Sequence, residues 1–146
     1  MNNYPKWWDA TITLYNKYIN PDTKEISWYR HILENCFWKD TNNREIIQDM
    51  VLETNYIICR IPKNDLYLPR YEWVNLEDKS QNFTFGVGDI LVDGSIEEDI
   101  DEYSKDMRSS DFLKRHKDIY GCMTIQRFQD DTGSIRNNPH YYIRGI

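Results

Sequence analysis

Short runs in which apolar and polar residues alternate constrain the fold of this sequence more than any other feature. The run Thr11–Tyr18 reads TITLYNKY, and residues 26–39 alternate in the same way after a turn that contains Pro21. Because successive side chains of a strand point to opposite faces of a sheet, this period of two predicts half-buried strands. The two runs are predicted to pair antiparallel, with a bulge or turn at Glu34 and Asn35.

Four further strands are predicted downstream, each close to glycine, proline or other turn residues. They are Tyr56–Ile61, Ile90–Val92, Cys122–Phe128 and His140–Gly145. Residues 44–55 fit both the period of a helix and the period of a strand, so the sequence leaves this segment open. The pattern predicts a mainly β fold, either a small antiparallel β-barrel or a sandwich.

One short helix and one long inserted loop complete the predicted elements. The segment SSDFLKRHK, residues 109–117, is predicted to be a helix capped by Ser109 or Ser110. Its inward-facing residues are predicted to be Phe112, Leu113 and His116. Residues 62–85 hold two prolines and show no clear period, so we predict an extended loop there. Long loops of this kind usually serve a function or an interface.

The length of the chain indicates a single domain over residues 1–146, with an N-terminal arm at residues 1–10. The three cysteines, Cys36, Cys59 and Cys122, are odd in number and widely spaced, which argues against a disulfide framework. We interpret the cysteines as buried thiols, which indicates that the chain folds in a reducing cytoplasm. The N-terminus shows no apolar signal region, and no apolar run approaches membrane-spanning length.

The net charge of −6 originates in one acidic patch, which consists of Glu97, Glu98, Asp99, Asp101 and Glu102. Outside this patch, 19 acidic residues balance 18 basic ones. Tight binding of nucleic acid through its phosphates requires a basic face, so the charge balance argues against that function.

No sequence motif of a catalytic, metal or cofactor site is found. The sequence lacks a P-loop, a dinucleotide-binding GxGxxG and a GxSxG motif. The histidines His31, His116 and His140 are each isolated in the sequence. Three acidic residues, Glu45, Asp49 and Glu53, precede a lysine at a spacing too loose for a metal-dependent nuclease. We therefore predict no catalytic residue, no metal and no cofactor, and a small metal-dependent enzyme is the least favoured alternative.

The order of several segments resembles that of phage head–tail connector proteins. The segments are ITLYNKY, WYRHILENCFWK, GDILVDG, SSDFLK, CMTIQRF, DDTGS and the terminal HYYIRGI. They resemble minor capsid or head-closure (stopper-like) proteins of tailed phages and prophages of Gram-positive bacteria. Such proteins carry an early TLYN-type strand, a GDxxVxG strand and an HWxVxG-like terminal strand. Here Tyr141 replaces the aromatic residue after His140, and the resemblance spans residues from about Ile12 to Gly145.

The resemblance implies a non-enzymatic β-barrel subunit of a homo-oligomeric ring in the virion neck, assembled in the host bacterial cytoplasm. Such a ring closes the DNA exit channel after packaging and docks the tail. A portal or adaptor protein is implied on the head side, and a tail terminator or other tail proteins on the opposite side. DNA would pass through without specific binding, and no membrane is involved. A tail terminator or tail-completion ring protein is the alternative.

Aromatic residues and the acidic patch are the predicted interaction sites. Trp7 and Trp8 are adjacent, so on a strand they point to opposite faces, and either a neighbouring subunit or the chain's own domain must cover them. Three aromatic residues of the long loop are predicted to contact a neighbouring ring or face the channel: Tyr67, Tyr71 and Trp73. The acidic patch is hypothesised to face the channel and repel DNA phosphates, with a plain solvent-exposed face as the alternative.

Overall fold

The computed structural model describes residues 4–47, 50–117, 121–133 and 138–146, with the backbone alone over 41–47 and 50–54. These ranges form a closed antiparallel barrel in the strand order β1-β2-β3-β6-β5-β4. The strands are β1 Ala10–Ile19, β2 Ile26–Ile47, β3 Met50–Pro62, β4 Ile90–Asp93, β5 Cys122–Asp131 and β6 His140–Gly145. The helices are α1, a single turn at Arg70–Trp73, and α2 at Ser109–His116. The mainly β prediction is confirmed, and the barrel is the form adopted.

β1 and β2 form the predicted antiparallel pair. The turn between them is held by the Asn20 side chain, whose Oδ1 accepts hydrogen bonds from the Asp22 and Thr23 amides at 2.9 and 3.2 Å. Near the start of β1 the register shifts by one residue. On β2 this shift coincides with Asn35, whose φ of 59° lies in the left-handed region that asparagine tolerates. The bulge predicted at this position is confirmed.

The alternating strands bury their apolar faces inside the barrel. This core includes Ile12, Leu14, Leu33, Leu91, Met123, Ile125 and Ile143. Cys36 and Cys59 belong to the same core, and all three cysteines are buried and free, as predicted. Burial raises the pKa of Cys36 and of Cys122 to about 12, because a thiolate is poorly solvated in an apolar interior. The neutral thiol is therefore the favoured form of both groups at neutral pH.

The segment around residues 44–55, for which the sequence did not decide between helix and strand, belongs to a two-stranded extension of the barrel. β1 pairs with β2 only as far as Cys36, and β6 pairs with β3 only from Ile57 onward. Residues 41–47 and 50–56 pair with each other, Thr41 opposite Tyr56 and Ile47 opposite Met50. No third strand accompanies them in the described part of the chain. We call these two stretches the hairpin arm.

The long loop, residues 62–85, closes the barrel end opposite the hairpin arm. Its backbone carbonyl at Thr84 accepts a 2.6 Å hydrogen bond from the side chain of Asn16, which lies near the far end of β1. Phe83 and Phe85 are buried in the barrel core, so the loop fills this end with aromatic rings. The predicted long inserted loop is present, and its apolar side chains fold it back onto the barrel.

α2 packs on the outside of the barrel. The buried ring of Phe112 lies with its centroid 4.9 Å from that of Tyr15, and His116 is also buried while Leu113 is half-buried, as predicted for the inward face. The N-cap is Arg108, with no side-chain cap bond, so the prediction of a serine cap is wrong. Instead, the Glu102 carboxylate accepts a 3.1 Å hydrogen bond from the Ser109 amide. A carboxylate from outside the helix thus satisfies one of its unpaired amides.

Candidate interaction surfaces

Two of the predicted interface aromatic residues lie on the surface. Trp7 is 63% exposed and Tyr71 is 71% exposed. Trp7 contacts Phe37, just before the hairpin arm, with the ring centroids 5.5 Å apart. Tyr71 lies on α1 in the long loop. The chain therefore presents exposed aromatic side chains in two separate segments, the N-terminal segment and the long loop.

The other predicted aromatic residues are enclosed by the chain itself. Trp8 is buried against Tyr4 and His140, with ring centroids 5.5 and 5.6 Å from its own. Trp73 is fully buried, and its indole N–H donates a 3.1 Å hydrogen bond to the Asn82 carbonyl. The prediction that Trp8 and Trp73 offer a surface to a partner is corrected, because the chain's own contacts cover them.

Tyr67 joins an aromatic cluster between the long loop and the barrel. Its ring centroid lies 4.5 Å from that of Tyr141 and 5.6 Å from that of Phe85. Desolvation by this burial raises the pKa of Tyr67 to about 12. Tyr67 is half-buried in this cluster, and its predicted interface role stays a prediction.

The predicted acidic patch is tied to the outer wall of the barrel by its own contacts. Glu98 Oε2 lies 3.1 Å from both Arg115 Nη2 and His116 Nε2, and Asp99 pairs with Arg30 at 3.1 Å. Within the loop, Asp101 Oδ1 accepts a 2.9 Å hydrogen bond from the Tyr103 amide. These ion pairs offset part of the negative charge.

The two remaining residues of the acidic patch, Glu97 and Glu102, lie in different environments. The Glu102 carboxylate accepts a 3.0 Å hydrogen bond from the indole of Trp28 on β2, in addition to capping α2. Glu97 is exposed to solvent. A role for the acidic patch in lining a channel stays a prediction.

A cleft opens at the barrel end that the long loop closes, and we call it the end cleft. It has a volume of about 520 Å³, and its lining includes Lys17, Ile19, Arg70, Val74 and Val87. Val87 is 76% exposed and Ile19 is half-exposed, so apolar surface faces solvent here. The side chains of Lys17 and Arg70 also line the end cleft.

A buried polar network forms the floor beside the end cleft. Asp89 is fully buried, and its Oδ2 lies 3.0 Å from Arg70 Nη1. The Lys17 amide and the Asn16 side chain each donate a 2.9 Å hydrogen bond to the same carboxylate. Burial raises the pKa of Asp89, and the positive charge of Arg70 opposes this rise. The network joins the long loop to β1 and β4.

Arg70 is held in this network by further contacts. Its Nη2 donates a hydrogen bond to the Lys17 carbonyl, and its guanidinium lies 5.1 Å from the Trp73 ring centroid. A Cβ atom at Gly86 would lie 2.9 Å from Arg70 Nη1, so glycine leaves the room that the guanidinium occupies.

Sequence reasoning missed this network, although one signal was present. In β1 the inward positions read Ile12, Leu14 and Asn16, so a polar residue stands where the period predicts an apolar one. A buried amide requires hydrogen-bond partners, which the Asp89 carboxylate and the Thr84 backbone supply. The identity of those partners was not readable, because they lie 68 and 73 residues downstream of Asn16.

The described residues hold no group of three or more His, Cys, Asp and Glu side chains that is placed to bind a metal ion. His140 Nε2 lies 3.7 Å from Asp131 Oδ2, while burial lowers the pKa of His31. Of the loosely spaced acidic residues, Asp49 lies outside the described residues, as do the side chains of Glu45 and Glu53. Among the described helices, neither has the length and hydropathy needed to cross a membrane.

Comparison with known proteins matches this chain to a protein family. Neither the curated proteins nor the solved structures contain a match to this sequence. A family model described as a family of unknown function, DUF6751, matches residues 7–146. Because this match covers nearly the whole chain, the protein belongs to the DUF6751 family.

Proposed function

We propose that this chain is a structural subunit of a phage neck, the head–tail connector. It forms a homo-oligomeric ring that closes the DNA exit channel and docks the tail, and it has no enzymatic activity. The order of sequence segments that resembles head-closure proteins motivates the proposal. The structural observation that carries it is the hairpin arm, which extends from a closed barrel without a third strand in the described chain.

The hairpin arm supports an assembly role for an energetic reason. A two-stranded hairpin is only marginally stable in water, whereas three or more strands, or packing against another element, stabilise it. The barrel itself is closed and needs no partner for its own strands. A chain whose barrel is closed, and whose arm has no third strand among the described residues, suits a subunit whose arm is completed by a neighbour.

The two exposed aromatic residues support contacts with other proteins. Large aromatic side chains are enriched at protein interfaces and often contribute much of the binding energy. Trp7 contacts Phe37 on β2, and Tyr71 lies on α1 in the long loop. A neck subunit contacts a portal or adaptor on the head side and tail proteins on the other. Two exposed aromatic residues in separate segments suit a subunit with more than one neighbour.

Native mass spectrometry of the purified chain, with and without portal rings of the same phage or prophage, tests the proposal. We expect cyclic oligomers, or a stoichiometric complex on the portal, with masses that increase in steps of 17.7 kDa. Trp7→Ala should weaken one of these contacts, whereas the matched control Trp8→Phe should preserve it. A chain that neither forms rings nor binds portal rings contradicts the proposal. Binding to rings of tail-tube protein alone would favour the tail-terminator alternative.

A further inference from the structure

We propose that one outer side of the barrel binds single-stranded nucleic acid through its phosphate groups. Four cationic side chains of the strands β2, β3, β5 and β6 form this surface, which we call the basic face: Lys39, Arg60, Arg127 and Arg144. The proposal goes beyond the neck function and does not depend on it, because it concerns a surface that the neck function leaves unassigned.

The strand register places the four cations side by side on the outside of the barrel. One row crosses all four strands through the pairs Lys39–Ile58, Ile58–Arg144 and Arg144–Arg127. Arg60 lies in the neighbouring row, two residues along β3 from Ile58. The residues between these positions belong to the barrel core, so the row itself points outward. With about 4.8 Å between neighbouring strands, the row spans roughly 14 Å.

Acidic side chains do not neutralise the basic face within the part of the chain that the structure describes. The ion pairs found there include none of the four cations. Arg127 and Arg144 stand directly opposite each other, and like charges in that position of a ladder repel. Asp131, at the end of β5, lies 3.7 Å from His140 instead. An anion bound between the two guanidinium groups would remove their repulsion, so the face suits an anionic ligand.

Aromatic rings hold two of the arginines in place. The Arg60 guanidinium lies 5.8 Å from the ring centroid of Phe37 and 5.7 Å from that of Tyr142. The Arg144 guanidinium lies 4.1 Å from the ring centroid of Tyr56. A guanidinium that is stacked on a ring keeps N–H groups at its edge, and these can donate to two oxygens of one phosphate. The rings thus reduce the freedom that the arginines lose on binding.

The combination of cations and rings favours a single strand over other polyanions. Trp7 is 63% exposed, and its ring centroid lies 5.5 Å from that of Phe37, which stands opposite Arg60. The unpaired bases of a single strand can stack on such a ring and on guanidinium planes while the phosphates contact the cations. A duplex keeps its bases stacked inside, and an acidic peptide has carboxylates without bases. A flexible strand can also follow the convex outside of a closed barrel.

The net negative charge of the chain originates on another side of the barrel. The acidic patch contacts Tyr15 on β1 and both Trp28 and Arg30 in the first half of β2. In the closed strand order, β1 stands three strands away from β6, which carries Arg144. The charge balance of the whole sequence averages the two sides, and this is why it did not reveal the basic face.

Fluorescence anisotropy of a labelled oligothymidylate of about 12 nucleotides, at several salt concentrations, tests the proposal. For the wild type we expect log Kobs to fall with log salt at a slope of about −2.8, because each of four phosphate contacts contributes about −0.7. Arg127→Gln/Arg144→Gln should weaken binding roughly tenfold or more at low salt and reduce the slope to about −1.4.

The matched control is Lys105→Gln/Lys114→Gln, which removes the same charge from two exposed lysines, one beside the acidic patch and one on α2. Its affinity and its salt slope should stay close to those of the wild type. Thermal unfolding of both double variants verifies that the barrel is folded.

The remaining outcomes overturn the inference in distinguishable ways. Equal losses of affinity in the two double variants would show a general attraction of charges rather than a site. Duplex DNA bound as tightly as the single strand, with a slope near −3.6, would exclude the preference for a single strand. Binding of polyglutamate but not of oligothymidylate would assign the face to an acidic protein. A chain that forms rings or binds portal rings, but binds no oligonucleotide, overturns this inference and leaves the neck function intact.

Discussion

The long loop and the hairpin arm are both excursions from the barrel, and they end in different environments. The loop inserts Phe83 and Phe85 into the core and buries Trp73, so it becomes part of the chain's own interior. The hairpin arm continues the β2–β3 ladder beyond the last residues that β1 and β6 cover. An irregular segment is thus fixed by its aromatic side chains, while a regular one has no third strand among the described residues. Regular backbone hydrogen bonding in a segment therefore does not indicate whether the side chains of that segment pack into the core.

The largest expected effect tests the loop side of this comparison. Trp73→Ala should lower the free energy of unfolding by about 4 kcal/mol, because it empties a fully buried aromatic site. Tyr71→Ala is the matched control on the same helix, and as an exposed residue it should change the free energy by less than about 0.5 kcal/mol. Urea unfolding followed by fluorescence or circular dichroism measures both. Equal losses in the two variants would contradict the view that burial of Trp73 fixes the loop.

The next effect concerns the polar network that joins the loop to the barrel. Arg70→Met should cost roughly 3 kcal/mol at pH 7, because it leaves the buried Asp89 carboxylate without its cation. Burial already raises the pKa of Asp89, and loss of Arg70 raises it further. The ionised carboxylate is therefore disfavoured in the folded state, and stability returns as the pH falls and the group binds a proton.

Unfolding curves of Arg70→Met and of the wild type from pH 7 down to mildly acidic pH measure this dependence. The difference between the two proteins should shrink as the pH falls. The double variant Arg70→Met/Asp89→Asn lacks the titrating group, so its own free energy of unfolding should lose the part of the pH dependence that Asp89 contributes. A deficit of Arg70→Met that is independent of pH would show that Asp89 is not the group left unpaired.

The smallest expected effect tests the arm side of the comparison. Replacing residues 42–55 with an Asn-Gly turn should change the free energy of unfolding by no more than about 1 kcal/mol, because a hairpin of two strands contributes little on its own. Replacement of 64–82 with a short glycine-serine linker is the contrasting control, and it should unfold the barrel end or abolish folding. A large loss of stability on shortening the arm would mean that the arm packs on its own barrel.

Much of the barrel was predictable from local sequence. The period of two identified β1 and the first half of β2, and the left-handed φ of Asn35 agrees with the bulge predicted there. The single longer helix was also readable from its charges and its inward residues. The cap of this helix was not readable from the sequence. The Ser109 amide in its first turn donates a hydrogen bond to the carboxylate of Glu102, which lies outside the local sequence pattern.

The candidate surfaces were less predictable than the strands. Trp7 and Trp8 are neighbours of the same type, yet one is exposed and the other is buried. Tyr71 and Trp73 differ in the same way on a single helical turn. Composition identifies such residues as candidates, but the packing of distant segments decides which of them remain exposed.

The sequence by itself determined the antiparallel β class, the turn at residues 20–25 and the inward face of α2, because alternation, turn chemistry and helical spacing act over a few residues. Only the tertiary structure decided that residues 44–47 and 50–55 extend as strands, since both periods fit them. It also decided that Asn16, Arg70 and Asp89 meet beside the end cleft. Such contacts depend on barrel closure, which brings together residues that no local pattern connects.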